Sequence, residues 1–339
     1  MSSMKAVQVS RAGGAFELVE RPIPEPQEYQ VRIKVQACGV CHSDIIVKEG
    51  GGGIYSISYP RIPGHEVIGV IDAVGKGVHP WSVGQRVGVG WHGGHDFVCI
   101  PCRRGDFIHC QQAQVTGVSY DGGYAEYMVA PQEALARVPD QLNAAEAAPL
   151  LCAGITTFNA LRHSVAKPGD LVAVQGLGGL GHLGVQFANR FGFRTVAVSR
   201  GKDKERLARE LGADAYIDTK ASDPAQELLG MEGAQVILAT APSGKAIASI
   251  LGGVGVNGQL LIVAAPGDAT DLYLASLING SRSIQGWASG TAMDSEDTLN
   301  FSMLRGVRPL VETFPLEHAN EAYDHMMSNQ VHFRAVLTL

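Results

Sequence analysis

Three short motifs, far apart in the chain, carry residues that can bind a metal ion. They are Cys41-His-Ser-Asp44, Gly64-His-Glu66 and Cys152-Ala-Gly154. Zinc accepts thiolate and imidazole ligands in a tetrahedral arrangement, and a catalytic site leaves one position for substrate. A lone histidine or a lone buried cysteine is more often structural, so the prediction rests on the combination. It assigns Cys41, His65 and Cys152 to a catalytic zinc site.

A second set of possible ligands lies within one polar, irregular segment. Its members are Asp96, Cys99, Cys102 and Cys110. Three thiols at this spacing predict a closed structural zinc site. A carboxylate stands where a fourth thiolate would be expected, and because aspartate is a competent zinc ligand we favour an occupied site. The alternative is an empty site whose loop is held by other contacts.

A glycine-rich turn follows the apolar segment 171–175. Gly176, Gly178 and Gly181 form the pattern G-x-G-x-x-G, with Gly179 and Leu180 inside it. Such glycines permit a tight turn and let the backbone approach a pyrophosphate, which a helix N-terminus attracts. The pattern is weak in a chain with 42 glycines, so an ordinary turn is the alternative. Its place between a predicted strand and a predicted helix favours a dinucleotide-binding turn.

The end of the next predicted strand should decide between NAD and NADP. An acidic residue there would bind the ribose hydroxyls and repel a 2′-phosphate. This chain instead has Ser199 and Arg200, followed by Lys204. A hydroxyl donor and a guanidinium suit phosphate oxygens, so NADP is favoured over NAD. The alternative is that these basic side chains are solvated residues at the start of a helix, with their positive charge partly offset by Asp203 and Glu205.

The elements that must position these residues fall into two parts. A chain of 339 residues is long for one domain. Segment 31–37 alternates apolar and polar residues and segment 67–74 is nearly all apolar, which predicts short strands in the first part. After residue 150 strands and helices alternate, which predicts a parallel sheet with helices on both faces. The tail from Leu299 is expected to return to the first domain.

Composition limits the partners and the location. The net charge of −6 is mild for this length and gives no reason to expect nucleic acid or an anionic membrane as partner. No apolar run approaches the length that crosses a bilayer, and the N-terminus lacks the apolar core of a signal peptide. The six cysteines are therefore expected in a reducing cytoplasm, where closely spaced thiols indicate metal ligands before disulfides.

Together these motifs resemble the zinc-containing alcohol dehydrogenases of the medium-chain dehydrogenase/reductase superfamily. The resemblance runs over almost the whole chain and includes Gly122-Gly-Tyr-Ala-Glu-Tyr127 and Cys152-Ala-Gly-Ile-Thr156. It implies an α/β fold with two domains. A GroES-like β-rich catalytic domain, residues 1–153 and 289–339, is expected around a Rossmann dinucleotide-binding domain with a doubly wound parallel sheet, residues 154–288.

The resemblance also implies roles around the catalytic zinc. Ser43 would accept the proton of the alcohol. Asp44 would hold the His65 ring in its ligating orientation. Glu66 would lie near the metal as an indirect or transient ligand, and Trp91 is similar in placement to an aromatic wall of the substrate pocket.

Further roles concern the cofactor. His42 and Arg334 would approach the cofactor phosphates, and Thr156 would pack near the nicotinamide. In addition to Asp96, two further features of the sequence differ from many relatives. Ile46 occupies the place of a histidine that passes the proton to solvent, and the glycine run 50–53 occupies a stretch that often bears pocket residues.

The resulting hypothesis is a zinc-dependent alcohol dehydrogenase that passes hydride reversibly between an alcohol and NADP or NAD. Its substrate would be a small alcohol, aldehyde or ketone, and the resemblance implies a homo-oligomer, with a tetramer favoured over a dimer. Two alternatives within enzymes are an aldehyde or ketone reductase and a polyol or cinnamyl-type dehydrogenase. A non-enzymatic alternative is a redox sensor that binds zinc and a dinucleotide.

Overall fold

The computed structural model describes residues 2–51, 55–328 and 333–339. The glycine run 50–53 therefore lies partly outside the described residues. The chain divides into two compact units, 1–155 with 290–339 and 156–289. The boundaries predicted from the sequence, 153/154 and 288/289, differ from these by two residues and one residue.

Among the described residues up to 155, short strands are joined by brief α-helices, and a further helix begins at residue 153 and continues into the second unit. The strands are Ser3–Val9 (β1), Phe16–Pro22 (β2), Gln30–Val40 (β3), Val67–Val74 (β4), Arg86–Val89 (β5), His92–Gly94 (β6), Gln114–Val115 (β7), Tyr127–Pro131 (β8) and Leu135–Arg137 (β9). The helices are Ile45–Glu49 (α1), Ile100–Arg103 (α2), Ala144–Ala147 (α3) and Ala153–Arg162 (α4). The two strands predicted from the alternating and apolar segments are confirmed as β3 and β4.

The second unit alternates strands and helices, as the sequence predicts. Its strands are Leu171–Gln175 (β10), Arg194–Ser199 (β11), Ala215–Asp218 (β12), Ala234–Ala239 (β13), Val254–Ile262 (β14) and Ser283–Gly286 (β15). Its further helices are Gly181–Arg190 (α5), Glu205–Glu210 (α6), Pro224–Gly230 (α7), Gly244–Ile250 (α8) and Ala275–Gly280 (α9). All neighbouring strands are parallel, in the order β12-β11-β10-β13-β14-β15.

This strand order confirms the doubly wound fold. The order reverses between β10 and β13, and such a reversal opens a crevice at the carboxyl ends of the strands where dinucleotides bind. Strand β10 is buried along its whole length, which explains its apolar sequence Leu-Val-Ala-Val-Gln. The glycine turn leaves the carboxyl end of β10, beside this crevice.

The tail returns to the first unit. Its elements are Ala292–Arg305 (α10), Val311–Pro315 (β16), Ala319–Met327 (α11) and Arg334–Thr338 (β17). Strand β17 pairs antiparallel with β3, so that Val336 faces Gly39. The seven-stranded sheet runs β16-β17-β3-β4-β5-β9, and β8 pairs with the other half of β3. The last strand of the chain thus lies inside this sheet and not at its edge.

Among the described residues no single helix is long and apolar enough to cross a membrane. One bent pair of segments, Ala144–Leu151 and Ala153–Arg162, meets the requirement by length and composition alone.

Candidate active site

Sheet register brings two of the three metal-binding motifs together. Cys41 follows the carboxyl end of β3, and His65 and Glu66 precede the start of β4. The two strands are antiparallel with Cys38 opposite Val67, and the backbone N–H of Gly39 donates to the Glu66 carbonyl at 3.0 Å. The end of one strand therefore lies beside the start of the next. Cys152 joins them from the end of a buried 3-10 turn at 148–151.

The donor atoms of this cluster fit a zinc ion. One ligand atom each from Cys41, His65, Glu66 and Cys152 lies within 4.8 Å of the others. The two Sγ atoms are 3.8 Å apart. Two thiolates at about 2.3 Å from a tetrahedral zinc would be separated by about 3.8 Å. Among the described residues, His65 Nε2 and Glu66 Oε2 are buried without a hydrogen-bond partner, as atoms facing a cation would be.

The electrostatics of the two thiols point the same way. Contact with Cys152 lowers the pKa of Cys41 well below its ordinary value, whereas the same contact raises the pKa of Cys152. Two buried thiols this close share a single negative charge, because the second ionisation is opposed by the first. A divalent cation between them would allow both to ionise, which is the state that zinc requires.

Asp44 contacts the His65 ring at its Nδ1 atom. Its side chain is 1% exposed, and its Oδ2 accepts hydrogen bonds from the Tyr124 hydroxyl at 2.8 Å and the Cys41 backbone N–H at 2.9 Å. Its Oδ1 lies 3.2 Å from His65 Nδ1, a charge contact that is not aligned as a hydrogen bond. The contact engages Nδ1 of the ring and leaves Nε2 as the ring nitrogen without a hydrogen-bond partner. Tyr124 was not singled out from the sequence, although it lies in the quoted motif 122–127.

Glu66 forms a buried ion pair with Arg334. The guanidinium NH2 group donates to Glu66 Oε1, and the two side chains are 0% and 4% exposed. Burial raises the pKa of Glu66 to about 7 against the opposing charge of Arg334. The structure thus places Arg334 beside the metal cluster. Its role at the cofactor phosphates stays a prediction.

Three more of the predicted residues lie near this cluster. His42 and Ser43 form the 3-10 turn after Cys41, where His42 is exposed and Ser43 half-buried. The Trp91 ring meets His65 edge to face at 4.9 Å between centroids. Tyr55, which sequence reasoning missed, meets Trp91 in the same way at 6.2 Å.

The thiol-rich segment forms a second cluster. One donor atom each from Asp96, Cys99, Cys102 and Cys110 lies within 4.8 Å of the others. Cys99 Sγ and Cys110 Sγ are 3.8 Å apart, again the spacing of two thiolates on a tetrahedral zinc. Three thiols and a carboxylate are a donor set that fits zinc, and the substitution at position 96 leaves the cluster assembled.

In the glycine turn of the second unit, the three glycines of the G-x-G-x-x-G pattern differ in the space around them. Gly176 has φ +93°, and a Cβ there would lie 2.7 Å from the Thr240 hydroxyl oxygen. A Cβ at Gly181 would overlap the Gly176 carbonyl, whereas a Cβ at Gly178 would meet nothing within 4 Å. The Gly178 carbonyl accepts the His182 backbone N–H at 3.1 Å, but the space beside its Cα is open, and this is the place that a pyrophosphate would fill. Thr156, also predicted to contact the cofactor, lies in the same unit and is 8% exposed.

The end of β11 is held by residues from β12 that sequence reasoning missed. The Asp218 carboxylate accepts the backbone N–H groups of Gly201 at 2.7 Å and Lys220 at 2.9 Å, and these bonds lower its pKa. The Tyr216 hydroxyl donates to the Gly201 carbonyl at 2.6 Å. Asp218 stands opposite Ser199, so its carboxylate is already engaged, whereas Asp203 approaches the same loop closely enough for its Oδ1 to overlap a Cβ on Gly201. Arg200 is exposed and Lys204 half-buried.

Comparisons with known proteins agree with this geometry. Residues 27–140 match the alcohol dehydrogenase GroES-like domain family, and residues 179–303 match the zinc-binding dehydrogenase family. The chain is 46% identical to the alcohol dehydrogenase patD of Penicillium expansum over all of this chain and 98% of that protein.

Two solved structures are similar over 99% of this chain and 98% of theirs. A cinnamyl alcohol dehydrogenase of Sorghum bicolor is 30% identical with a TM-score of 0.89. The cinnamyl alcohol dehydrogenase of Helicobacter pylori, solved with NADP(H), is 27% identical with a TM-score of 0.87.

Proposed function

We propose a reaction and a cofactor for this chain, which belongs to the zinc-containing alcohol dehydrogenases of the medium-chain dehydrogenase/reductase superfamily. The enzyme interconverts an alcohol and its aldehyde or ketone, with NADP preferred to NAD. The observation that carries the proposal is the convergence of Cys41, His65 and Cys152 within one buried cluster. A non-catalytic redox sensor would have no need of the Ser43 hydroxyl beside such ligands.

Cys41, His65 and Cys152 would hold the catalytic zinc, and Glu66 supplies a buried carboxylate beside it. When bound, zinc acts as a Lewis acid on the substrate oxygen, and the nicotinamide accepts or returns hydride. Asp44 holds the His65 ring so that Nε2 stays available to the metal. The charge of Arg334 keeps the Glu66 carboxylate in place.

The proton of the alcohol leaves through Ser43. Its hydroxyl Oγ accepts the proton from the substrate hydroxyl while donating its own, because an isolated serine hydroxyl is a poor base and can only relay. Ile46, one turn further on, has no ionisable side chain. Position 46 therefore offers no group to continue the relay, and the proton from Ser43 would pass to water.

The second cluster would hold a structural zinc. Cys99, Cys102 and Cys110 supply thiolates, and Asp96 supplies a carboxylate as the fourth ligand. A closed set of four protein ligands leaves no position for substrate, so this metal would stabilise the loop and take no part in the reaction.

Three features support NADP as the preferred dinucleotide. Asp218 is engaged by two backbone N–H groups and is not offered to a ribose. Arg200 presents an exposed guanidinium at the strand end, next to Ser199, which is 8% exposed. Lys220 approaches the same loop, since its Nζ lies 3.9 Å from the position of a Cβ on Gly201.

The decisive experiment compares Cys41→Ala with Cys38→Ala. Both cysteines are buried, but only Cys41 belongs to the cluster. We expect Cys41→Ala to lose one zinc per chain and at least about a thousandfold in kcat, while dinucleotide binding, followed by nicotinamide fluorescence, persists. Cys38→Ala should retain its metal. Full alcohol oxidation by a verified metal-free Cys41→Ala protein would overturn the proposal.

A further inference from the structure

One carboxylate oxygen of Asp96 is engaged by the backbone of its own loop. Its Oδ1 accepts the backbone N–H groups of Val98 and Cys99, both at 2.9 Å. On the other side of the cluster Cys110 Sγ accepts the N–H groups of Gln112 at 3.3 Å and Asp96 at 3.4 Å. The carboxylate thus receives the backbone bonds that a thiolate receives elsewhere in the same cluster.

A carboxylate and a thiolate differ in one respect that matters here. A thiolate offers a single atom, which must both bind the metal and accept the backbone N–H groups. A carboxylate has a second oxygen, so metal binding and backbone capping can be separate. Charge-assisted bonds of this kind are about twice as strong as neutral ones.

Besides the Asp96 side chain, ring contacts hold this part of the loop, since His95 meets Phe97 and Phe107 at 4.2 Å between centroids. Val98 and Ile100 are 72% and 60% exposed, so apolar burial contributes little. The segment has local backbone bonds, among them Arg103 N–H to the Cys99 carbonyl at 3.0 Å and Asp106 N–H to the Pro101 carbonyl at 3.0 Å. These bonds lie after Cys99, and within the turn from 96 to 99 the hydrogen bonds are those that the Asp96 side chain accepts from Val98 and Cys99.

We propose that Asp96 has two functions: it ligates the metal of the second cluster, and it keeps the loop 96–110 folded when that metal is absent. The inference rests on the structural zinc site proposed above. It follows that replacing the thiolate of a four-cysteine site by a carboxylate lets the loop survive metal loss and take up metal again without refolding.

Two substitutions at one position separate the two functions. Asp96→Asn keeps an oxygen that can accept the Val98 and Cys99 N–H groups but is a poor zinc ligand. Asp96→Cys restores a fourth thiolate but removes the second acceptor. Asp106→Asn is the matched control, because this carboxylate lies in the same loop and contacts His109 at 2.8 Å, outside the cluster.

Trypsin reports the state of the loop. Arg103 and Arg104 are exposed and lie between Cys102 and Cys110, so cleavage after them measures opening of this segment. Fragments are identified by mass, which separates loop opening from any effect of losing the other zinc. Metal per chain is counted in parallel by mass spectrometry, before and after dialysis against a chelator.

We expect chelated wild type to be cleaved within about threefold of the metal-bound rate. Asp96→Asn should carry about one zinc less per chain and be cleaved like chelated wild type. Asp96→Cys should keep its zinc, yet after chelation be cleaved about tenfold faster than chelated wild type. Asp106→Asn should behave as wild type in both assays.

Each failure has its own meaning. Equal cleavage of chelated wild type and chelated Asp96→Cys would overturn the capping role. Full zinc content in Asp96→Asn would overturn the ligand role. A wild-type protein that binds only one zinc per chain would reject the structural site itself, while the comparison of metal-free proteins would still test whether Asp96 holds the loop.

Discussion

Gly39 shows at the scale of single residues how the buried ion pair is accommodated. A Cβ at this position would overlap the Glu66 carboxylate, and it would lie 3.0 Å from Glu66 Cβ. Gly39 has no positive φ, so glycine is needed here for space and not for backbone conformation. The missing side chain lets Glu66 lie against β3 and reach Arg334.

Gly39→Ala should therefore displace Glu66 and weaken its pairing with Arg334. We expect the free energy of unfolding to fall by about 2 kcal/mol, the usual cost of overpacking a dense core, together with a lower kcat. Chemical denaturation and steady-state kinetics measure the two effects. Gly230→Ala is the control, since an added Cβ there meets nothing within 4 Å. Unchanged stability in Gly39→Ala would show that Glu66 can move freely.

Arg200 carries the second prediction at this scale. If its guanidinium binds a 2′-phosphate, Arg200→Ala should raise the Kd for NADPH about tenfold and leave the Kd for NADH nearly unchanged, as expected for one charge-assisted contact. Arg206→Ala is the matched control, because Arg206 is paired with Glu210 at 2.8 Å on the next helix. Equal losses for both cofactors, measured by fluorescence titration, would reject NADP selectivity at Arg200.

At the scale of elements, the turn between β10 and α5 combines two requirements. Gly176 and Gly181 are fixed by the packing of the turn on itself, since a Cβ at Gly181 would overlap the Gly176 carbonyl. Gly178 is exposed, and a Cβ there would meet no protein atom within 4 Å. The fold therefore requires glycine at 176 and 181, whereas at 178 we propose that the requirement comes from a ligand.

Alanine substitution should separate these requirements. Gly181→Ala should lower the free energy of unfolding by roughly 2 kcal/mol or more, because the backbone must move to accommodate the Cβ. The midpoint of thermal unfolding should fall accordingly. Gly178→Ala should leave thermal unfolding unchanged but weaken dinucleotide binding at least about tenfold, because its methyl group would occupy the approach of the pyrophosphate. Tight dinucleotide binding by a stable Gly178→Ala protein would contradict the assignment of this turn.

At the scale of the whole molecule, the first unit is assembled from both ends of the chain. Its apolar core contains Ile33 from β3 together with Leu337 from β17. The same unit contains a histidine pair, in which Nε2 of the buried His92 lies 3.2 Å from Nδ1 of the half-buried His95. Burial, reinforced by His95, lowers the pKa of His92 to about 4 against the opposing charge of Asp294.

This pair gives the stability a dependence on pH. The unfolded chain binds a proton at His92 near pH 6.5, whereas the folded chain does not until about pH 4, so stability falls as the pH drops through this window. We expect His92 to contribute about 2 kcal/mol to the loss of unfolding free energy between pH 7 and pH 4.5. His92→Gln should flatten the profile by that amount.

Denaturation followed by tryptophan fluorescence measures this effect, since Trp81 and Trp91 lie in the same unit as His92. Both proteins keep the same metal ligands, so the difference between their profiles excludes ligand protonation. Glu133 lies on the turn packed against β6, close to His92. Because Glu133 is present in both wild type and His92→Gln, its titration affects both profiles equally and cancels in the difference. His109→Gln, at an exposed histidine, should leave the profile as it is. Parallel profiles for wild type and His92→Gln would refute the prediction.

The sequence by itself determined the chemistry of the sites and the order of the elements. Thiols, imidazole and carboxylates at characteristic spacings identify the metal-binding segments, because ligand type and local spacing are written directly in the chain. The alternation of apolar strands with helical segments likewise predicts the doubly wound sheet, since side-chain periodicity reflects local backbone geometry. Even the Asp96 substitution was visible without a structure.

Only the tertiary structure decided which residues, distant in sequence, form hydrogen bonds and ion pairs with these segments. Arg334 pairs with Glu66 across 268 residues because β17 enters the sheet beside β3, and Tyr124 reaches Asp44 across 80 residues. Asp218 belongs to no motif recognised in the sequence. Parallel pairing places it opposite Ser199, where its carboxylate accepts the Gly201 N–H of the loop after β11. Such contacts depend on strand order and register, which are set by packing over the whole unit and leave no local trace in the sequence.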